Sequence, residues 1–388
     1  MESDQAFRYI YELAEMMVKE GGSDLFVTAG SAPAIKVSGA MRRVGTDALS
    51  AEQADYLVRS IMNDRTTRQF DEHHEANFAL HFEDLARFRV SAFKQRGASS
   101  MVLRLIRSDI PSFEQLHLPS TLRDLSMTKR GLIIFVGATG SGKSTSLAAM
   151  VDYRNENSFG HIITIEDPIE FFHQHKKSLV NQREVGADTD SYEIALKNTL
   201  RQAPDVILVG EVRDRAGMEA AIAFAETGHL VLTTLHANNA DQAFDRIVNF
   251  FPDEKKAQIQ MDLSFNLRAI ISQRLIPRSD IKGLIPAVEV LINTPLVAEL
   301  IFQGRIREIK ETMTRSGEQG LITFDQSLFR LYEENRIDYQ TALRFADSVN
   351  NLRLMIKLKS KRQPPSDGAA DKFHIKQTEK DQQATRLG

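Results

Sequence analysis

Apolar positions change period several times along the first hundred residues. Phe7, Ile10, Leu13, Ala14, Met17 and Val18 recur at helical spacing, and Gly21-Gly22 follows as a stop signal. Residues 25–28, 34–37 and 41–44 then form short extended runs separated by Ala29-Gly30 and Ser38-Gly39, the pattern of a tight antiparallel meander. A helical stretch over 51–70 comes next, then strands over 76–82, 87–93 and 101–106, with a turn at Gln95-Arg96-Gly97. In the 87–93 run Phe88, Val90 and Ala92 face one way while Arg87, Arg89 and Ser91 face the other. Arg87, Arg89, Arg96 and Arg104 therefore form either a solvated sheet face or a set that reaches a neighbouring subunit's phosphates.

Beyond residue 119 the pattern is different. Continuous apolar runs at 132–136, 162–165, 206–209 and 230–234 read as strands buried on both faces, as in a parallel sheet. Helical spacing returns at 244–250, 257–275, 295–303 and 324–332, so the last third reads as mostly helix packed on that sheet. The stretch 108–112 has linker composition, with Pro111 and Pro119 disfavouring helix on either side. The reading is an α/β chain: an N-terminal domain over 1–107, a linker over 108–118, a nucleotide domain with a helical C-terminal part over 119–360, and a polar tail over 361–388. A basic cluster at 357–362 leads into the segment 363–388, which contains Pro364-Pro365-Ser366, lacks the apolar content to fold alone and is either solvated or a docking segment.

Composition narrows the function classes. A net charge of −3 argues against a constitutive nucleic-acid binder. Zero cysteines removes disulfides, thiol catalysis and cysteine-ligated zinc. No stretch approaches the ~20 apolar residues of a membrane span, so membrane association is expected to be peripheral.

The chemistry concentrates at Gly137-Ala138-Thr139-Gly140-Ser141-Gly142-Lys143-Ser144, between an apolar strand and a helix starting near Thr145. Glycines let successive backbone N–H groups turn around a polyphosphate, and the helix N-terminus adds its positive end. Lys143 reaches the outer phosphates and the Ser144 hydroxyl is placed for Mg²⁺. ATP and Mg²⁺ are the expected cofactors. Glu166 and Asp167 end the 162–165 strand, where ligands sit in open α/β sheets. A carboxylate there can deprotonate an attacking water, although two acids before Pro168 can also simply end a strand. Gly210-Glu211 follows the 206–209 strand as a variant metal-side acid. His229 and His236 bracket the 230–234 strand, too far apart to share a metal.

Taken in order, the glycine loop, Ile165-Glu166-Asp167-Pro168-Ile169-Glu170-Phe171, Gly210-Glu211-Val212-Arg213-Asp214, and Thr227-Gly228-His229 through Thr234-Leu235-His236 resemble the Walker A, Asp, Walker B and His boxes of the secretion-ATPase superfamily. Within it the chain resembles the type IV pilus retraction ATPases of the PilT/PilU kind, through Ser23-Asp24-Leu25 and Arg87-Phe88-Arg89-Val90. Leu296-Val297-Ala298-Glu299-Leu300-Ile301 departs from the PilT pattern and favours the accessory, PilU-like paralogue over a principal motor or a structural subunit of a partner ring.

The resemblance implies a PAS-like N-terminal domain and a RecA-like ATPase domain in a homohexameric ring. Such a ring would sit at the cytoplasmic face of the inner membrane, beside a PilT-like partner ATPase and a membrane platform protein. It also implies that Glu166 is the general base, that Glu211 supports the metal, and that His229 and His236 couple phosphate to domain movement. Arginine fingers would come from among Arg87, Arg96 and Arg104 of a neighbouring subunit.

Overall fold

The structure is a computed structural model and describes residues 3–106, 109–315 and 320–362. The tail over 363–388 and the first residue of the expected linker, Ser108, lie outside the described residues.

The N-terminal part is a helix α1 (Ser3–Lys19), strands β1 (Gly22–Thr28), β2 (Ala34–Val37) and β3 (Ala40–Arg43), helices α2 (Ala51–Arg59) and α3 (Asp64–His73), and strands β4 (Glu75–Phe82), β5 (Ala86–Gln95) and β6 (Ala98–Ile106). The six strands form one antiparallel sheet in the order β3-β2-β1-β6-β5-β4. Phe88, Val90 and Ala92 of β5 turn into a core with Ile10, Leu13 and Met17 of α1, Leu57 of α2 and Phe70 of α3. The opposite face carries Arg87 and Arg89, half-buried, and Arg104, exposed.

The single helix read over 51–70 is two. Asn63 opens α3 with a capping box: its side chain accepts from Thr66 N, and Thr66 Oγ1 accepts from Asn63 N. Satisfying those first-turn donors starts a new helix where apolar spacing alone runs on.

After Phe113, buried beside Tyr153 at 5.4 Å, α4 (Thr121–Ser126) leads into β7 (Gly131–Val136), α5 (Lys143–Asn157), β8 (Gly160–Glu166), β9 (Ser178–Glu184), α6 (Tyr192–Thr199), β10 (Val206–Val209), α7 (Arg215–Glu226), β11 (Leu230–Leu235), α8 (Ala240–Asn249), α9 (Asp253–Asn266), β12 (Leu267–Pro277) and β13 (Leu284–Ile292). The seven strands are ordered β13-β12-β7-β11-β10-β8-β9, all parallel except β13. Successive residues of each strand enter different cores. Ile134, Ile165 and Val209 pack with α6, α7, α8 and α9, while Ile133, Phe135, Ile162 and Leu208 pack with α4 and α5. Helices α10 (Pro295–Phe302), α11 (Ile309–Arg315), α12 (Phe324–Glu333), α13 (Tyr339–Phe345) and α14 (Val349–Lys359) close the described chain.

The helix read over 257–275 is a correction. Its second half is β12, an interior strand lying between β13 and β7. Ile259, Leu263, Leu267, Ile270 and Ile271 mimic helical spacing, but a strand covered on both faces needs no alternation. Asn293 fixes the switch by donating to the carbonyls of Ser264 (2.8 Å) and Leu267 (3.0 Å). The last third is still mostly helix among the described residues, with the β12–β13 hairpin set between α9 and α10.

The two parts touch through side chains. Arg65 donates to the carbonyls of Gly186 (3.1 Å) and Ala187 (3.3 Å), and the Arg87 guanidinium lies 4.8 Å from the Phe172 ring centre.

Candidate functional site

All six residues of β7 are buried, so the chain leaves the sheet from a fixed point. The glycine loop then turns tightly against β12. A Cβ on Gly137 would lie 2.5 Å from the Gln273 carbonyl oxygen, and one on Gly142, whose φ is 86°, 2.8 Å from Gln273 Nε2. Gln273 holds the loop to the first turn of α5: Nε2 donates to Ser141 O (2.9 Å) and Oε1 accepts from Ser146 Oγ (2.8 Å). Lys143 Nζ donates to the carbonyls of Gly137 (2.7 Å) and Ala138 (3.0 Å). Burial lowers the Lys143 pKa, and the nearby Glu211 and Glu170 oppose that shift. Thr139, Gly140, Lys143 and Ser144 line a cleft of about 230 Å³. Ala138 is exposed on the loop's rim, Ser141 is buried beneath it, and Thr145 lies in the first turn of α5.

The strand order carries the opposite wall. Residues distant in sequence follow the ends of neighbouring strands: His236 after β11, Gly210 and Glu211 after β10, Glu166 at the end of β8. All of them line the same cleft as the glycine loop. Glu166 Oε1 accepts from Thr164 Oγ1 (2.6 Å) and Gln182 Nε2 (3.1 Å). Burial pushes its pKa up to about 7 despite those bonds, with Glu170 and Glu184 adding to the rise. A carboxyl poised near neutrality can take a proton and release it again. Glu211 Oε1 lies 2.8 Å from His236 Nε2 and Oε2 accepts from Arg213 Nε at 2.8 Å, while Arg213 also reaches Asp167 at 3.3 Å.

Other sequence candidates lie elsewhere. His229 sits at the opposite end of β11, where its Nδ1 lies 3.0 Å from Phe224 O and 3.1 Å from Thr227 Oγ1. None of Arg87, Arg96 and Arg104 lines the cleft of its own chain. Arg104 pairs with the buried Asp24 at 2.7 Å, Arg87 stacks on Phe172, and Arg96 is exposed at the β5–β6 hairpin with φ 49°.

Sequence reasoning missed three residues. Gln273 was hidden in the misread helix. Gln182 lies on β9, a strand of mixed polarity that gave no apolar run. His173 lines the cleft with a buried Nδ1 that has no partner among the described residues, and burial pushes its pKa down to about 4, so the ring is neutral. The Phe171-Phe172-His173 string carried no spacing that marked it.

Whether a magnesium nucleotide suits these residues can be judged from the donor set. Among the described residues no three His, Asp or Glu side chains converge as a metal cage. A cation here would depend on the Ser144 hydroxyl, phosphate oxygens and water, with Glu211 nearby, which is how Mg²⁺ is held in phosphate-loop sites. The residues fit that arrangement.

The family model described as type II/IV secretion system protein matches residues 2–348. The chain is 58% identical over 349 residues to the type IV pilus ATPase PilU of Pseudomonas aeruginosa, covering 90% of this chain and 91% of that protein. It is 42% identical over 333 residues to the type IV pilus retraction ATPase PilT of the same organism, covering 86% and 96%. A crystal structure of the pilus retraction motor PilT with bound ADP superposes with a TM-score of 0.82 at 39% identity, covering 90% of this chain and 98% of that one. With a glycine loop and an acid-lined cleft at the strand ends, the chain belongs to the type II/IV secretion system protein family, on the branch of the type IV pilus ATPases.

Proposed function

We propose that this chain hydrolyses ATP as one subunit of a homohexameric pilus-retraction motor, acting as the accessory partner of a PilT-like ATPase. The observation that carries the reading is the convergence of Lys143, Glu166, Glu211 and His236 on one cleft from three strand ends and the glycine loop. The accessory assignment is supported by the greater identity to the PilU relative than to the PilT relative. The sequence at 296–301 in α10 supports it as well.

In this reading the first sheet with its helices is the PAS-like domain and the seven-stranded unit is the RecA-like one. Backbone N–H groups at the start of α5 and the Lys143 ammonium hold the polyphosphate. Ser144 and Glu211 would hold Mg²⁺, which when bound neutralises developing phosphate charge. Glu166 accepts the proton of the attacking water. His236, tied to Glu211, reports loss of the terminal phosphate through the loop into α8. An arginine finger from among Arg87, Arg96 and Arg104 would come from a neighbouring subunit, since none of them lines its own chain's cleft, and His229, at the far end of β11, would join His236 in coupling phosphate to domain movement. Among the described residues no helix is long and apolar enough to cross a membrane, so the motor would dock peripherally on an inner-membrane platform protein, at the cytoplasmic face.

Steady-state phosphate release from the wild type and Glu166→Gln tests the reading. Loss of turnover on the order of 10³-fold is expected for removal of a general base. Equal rates would leave a nucleotide-binding structural subunit instead.

A further inference from the structure

A general base works only if its carboxylate is held in one orientation, and the groups that hold Glu166 are not themselves in the reaction. Both hydrogen bonds to Glu166 fall on Oε1, from Thr164 Oγ1 at 2.6 Å and Gln182 Nε2 at 3.1 Å, which leaves Oε2 to accept a proton. The same Gln182 nitrogen donates to Phe171 O at 2.9 Å, and Gln182 Oε1 accepts from His173 N at 2.8 Å. Gln182 stands opposite Thr164 in the β8–β9 pairing, so the two donors come from neighbouring strands.

The amide therefore has both N–H donors and one of its two acceptor sites engaged, and it joins the base to the segment 168–173 that walls the cleft. Phe172 of that segment is where Arg87 of the first sheet stacks, 4.8 Å from the ring centre. A path of direct contacts runs from the first sheet through Phe172 and its neighbours to Gln182 and Glu166.

We propose that Gln182 is a positioning residue for Glu166: its amide fixes the carboxylate through Oε1 and registers it against the segment 168–173. The inference rests on the reading of Glu166 as the base. A glutamine that merely tied the segment down would matter equally at every pH. A donor to the carboxylate also stabilises its charged form, so its loss has a pH signature. The other titratable groups facing Glu166 are Glu170 and Glu184, which favour the protonated acid, and the Tyr192 hydroxyl.

The test is the pH dependence of kcat for the full chain with Mg·ATP, in the wild type, Gln182→Leu and the near-isosteric Gln182→Glu. Activity needs the ionised base, so it falls as pH drops through the Glu166 pKa. Gln182→Leu should move that acidic limb up by about 1 pH unit, lowering kcat about 5-fold at pH 7 with recovery towards pH 9 and KM unchanged within about twofold. Gln182→Glu, which adds a negative charge, should move the limb at least as far and carries the test if Gln182→Leu fails to fold. An unshifted limb, with kcat lowered equally at all pH, overturns the proposal. Glu166→Gln measured alongside separates the two claims. If it is inactive while the limb stays unshifted, only the positioning role fails, whereas a fully active Glu166→Gln removes the base and with it this inference.

Discussion

The first sheet covers one face with α1, α2 and α3 and leaves Arg87, Arg89 and Arg104 on the other, whereas the second is covered on both faces and gathers its polar side chains at the strand ends. Each arrangement treats buried charge differently. In the first sheet the buried Asp24 is met directly by the Arg104 guanidinium at 2.7 Å. In the second, Glu289 of β13 is 2% exposed and among the described residues is hydrogen-bonded by the Ser272 hydroxyl (2.9 Å) and the Ala240 N–H (3.0 Å) alone. Burial pushes its pKa up to about 7, as it does for Glu166. The open face can present cations to a neighbour, while the enclosed sheet can retune acids.

Predictions that press on this contrast differ in size. The largest concerns pH. A carboxyl raised from 4.5 to about 7 on folding keeps a proton that the unfolded chain has released, so the native state gains most below pH 4.5 and loses that gain as pH rises to 7. Urea midpoints between pH 5 and 8 should therefore fall with rising pH, and Glu289→Gln should flatten the slope, removing at most about 3 kcal/mol of the fall across that range. An unchanged slope would mean that the enclosed sheet does not retune Glu289. Next comes Glu211→Ala, which removes the partner of His236 and Arg213 at a strand end and should lower turnover about 10–100-fold with the fold intact. Circular dichroism together with phosphate release checks it.

On the open face two arginines should separate cleanly. Arg104→Ala leaves Asp24 buried without its cation and should cost about 1–2 kcal/mol in thermal or urea unfolding, below the range for fully buried pairs because Arg104 is itself exposed. Arg96→Ala should leave stability within about 0.5 kcal/mol and lower only the ATPase rate of the assembled ring. If Arg104→Ala is stability-neutral and slows the ring instead, the roles of the two arginines are reversed. The smallest effect is expected from Asn63→Ala, which removes the cap dividing α2 from α3 and should cost about 1 kcal/mol.

The same contrast explains what could be read from sequence. Alternation in β5 announces its pairing and its two faces, because a half-buried antiparallel strand must alternate. The glycine loop and the acids Glu166 and Glu211 were legible because residue type and the preceding buried strand specify them together, whereas His236 was marked only through the resemblance, alongside His229 at the other end of β11. β12 was not legible, since a strand enclosed on both faces shows the same run of apolar residues as a buried helix. With β12 misread, Gln273 could not be seen beneath the glycine loop. Gln182 escaped for a related reason: its importance lies in the β8–β9 register, which places it opposite Thr164, and pairing is a long-range property that no local pattern encodes. The break at Asn63 carried a weak signal, because Thr66 rather than Glu or Gln completes its capping box.

Everything assigned to the cleft presupposes that the glycine loop receives a terminal phosphate next to Lys143. Calorimetric titration of Mg·ATP into the wild type and Lys143→Ala tests this most directly. Saturable binding by the wild type, weakened at least about tenfold in Lys143→Ala, is the predicted result. No heat of interaction in the wild type, or equal affinity in the two proteins, would contradict the account.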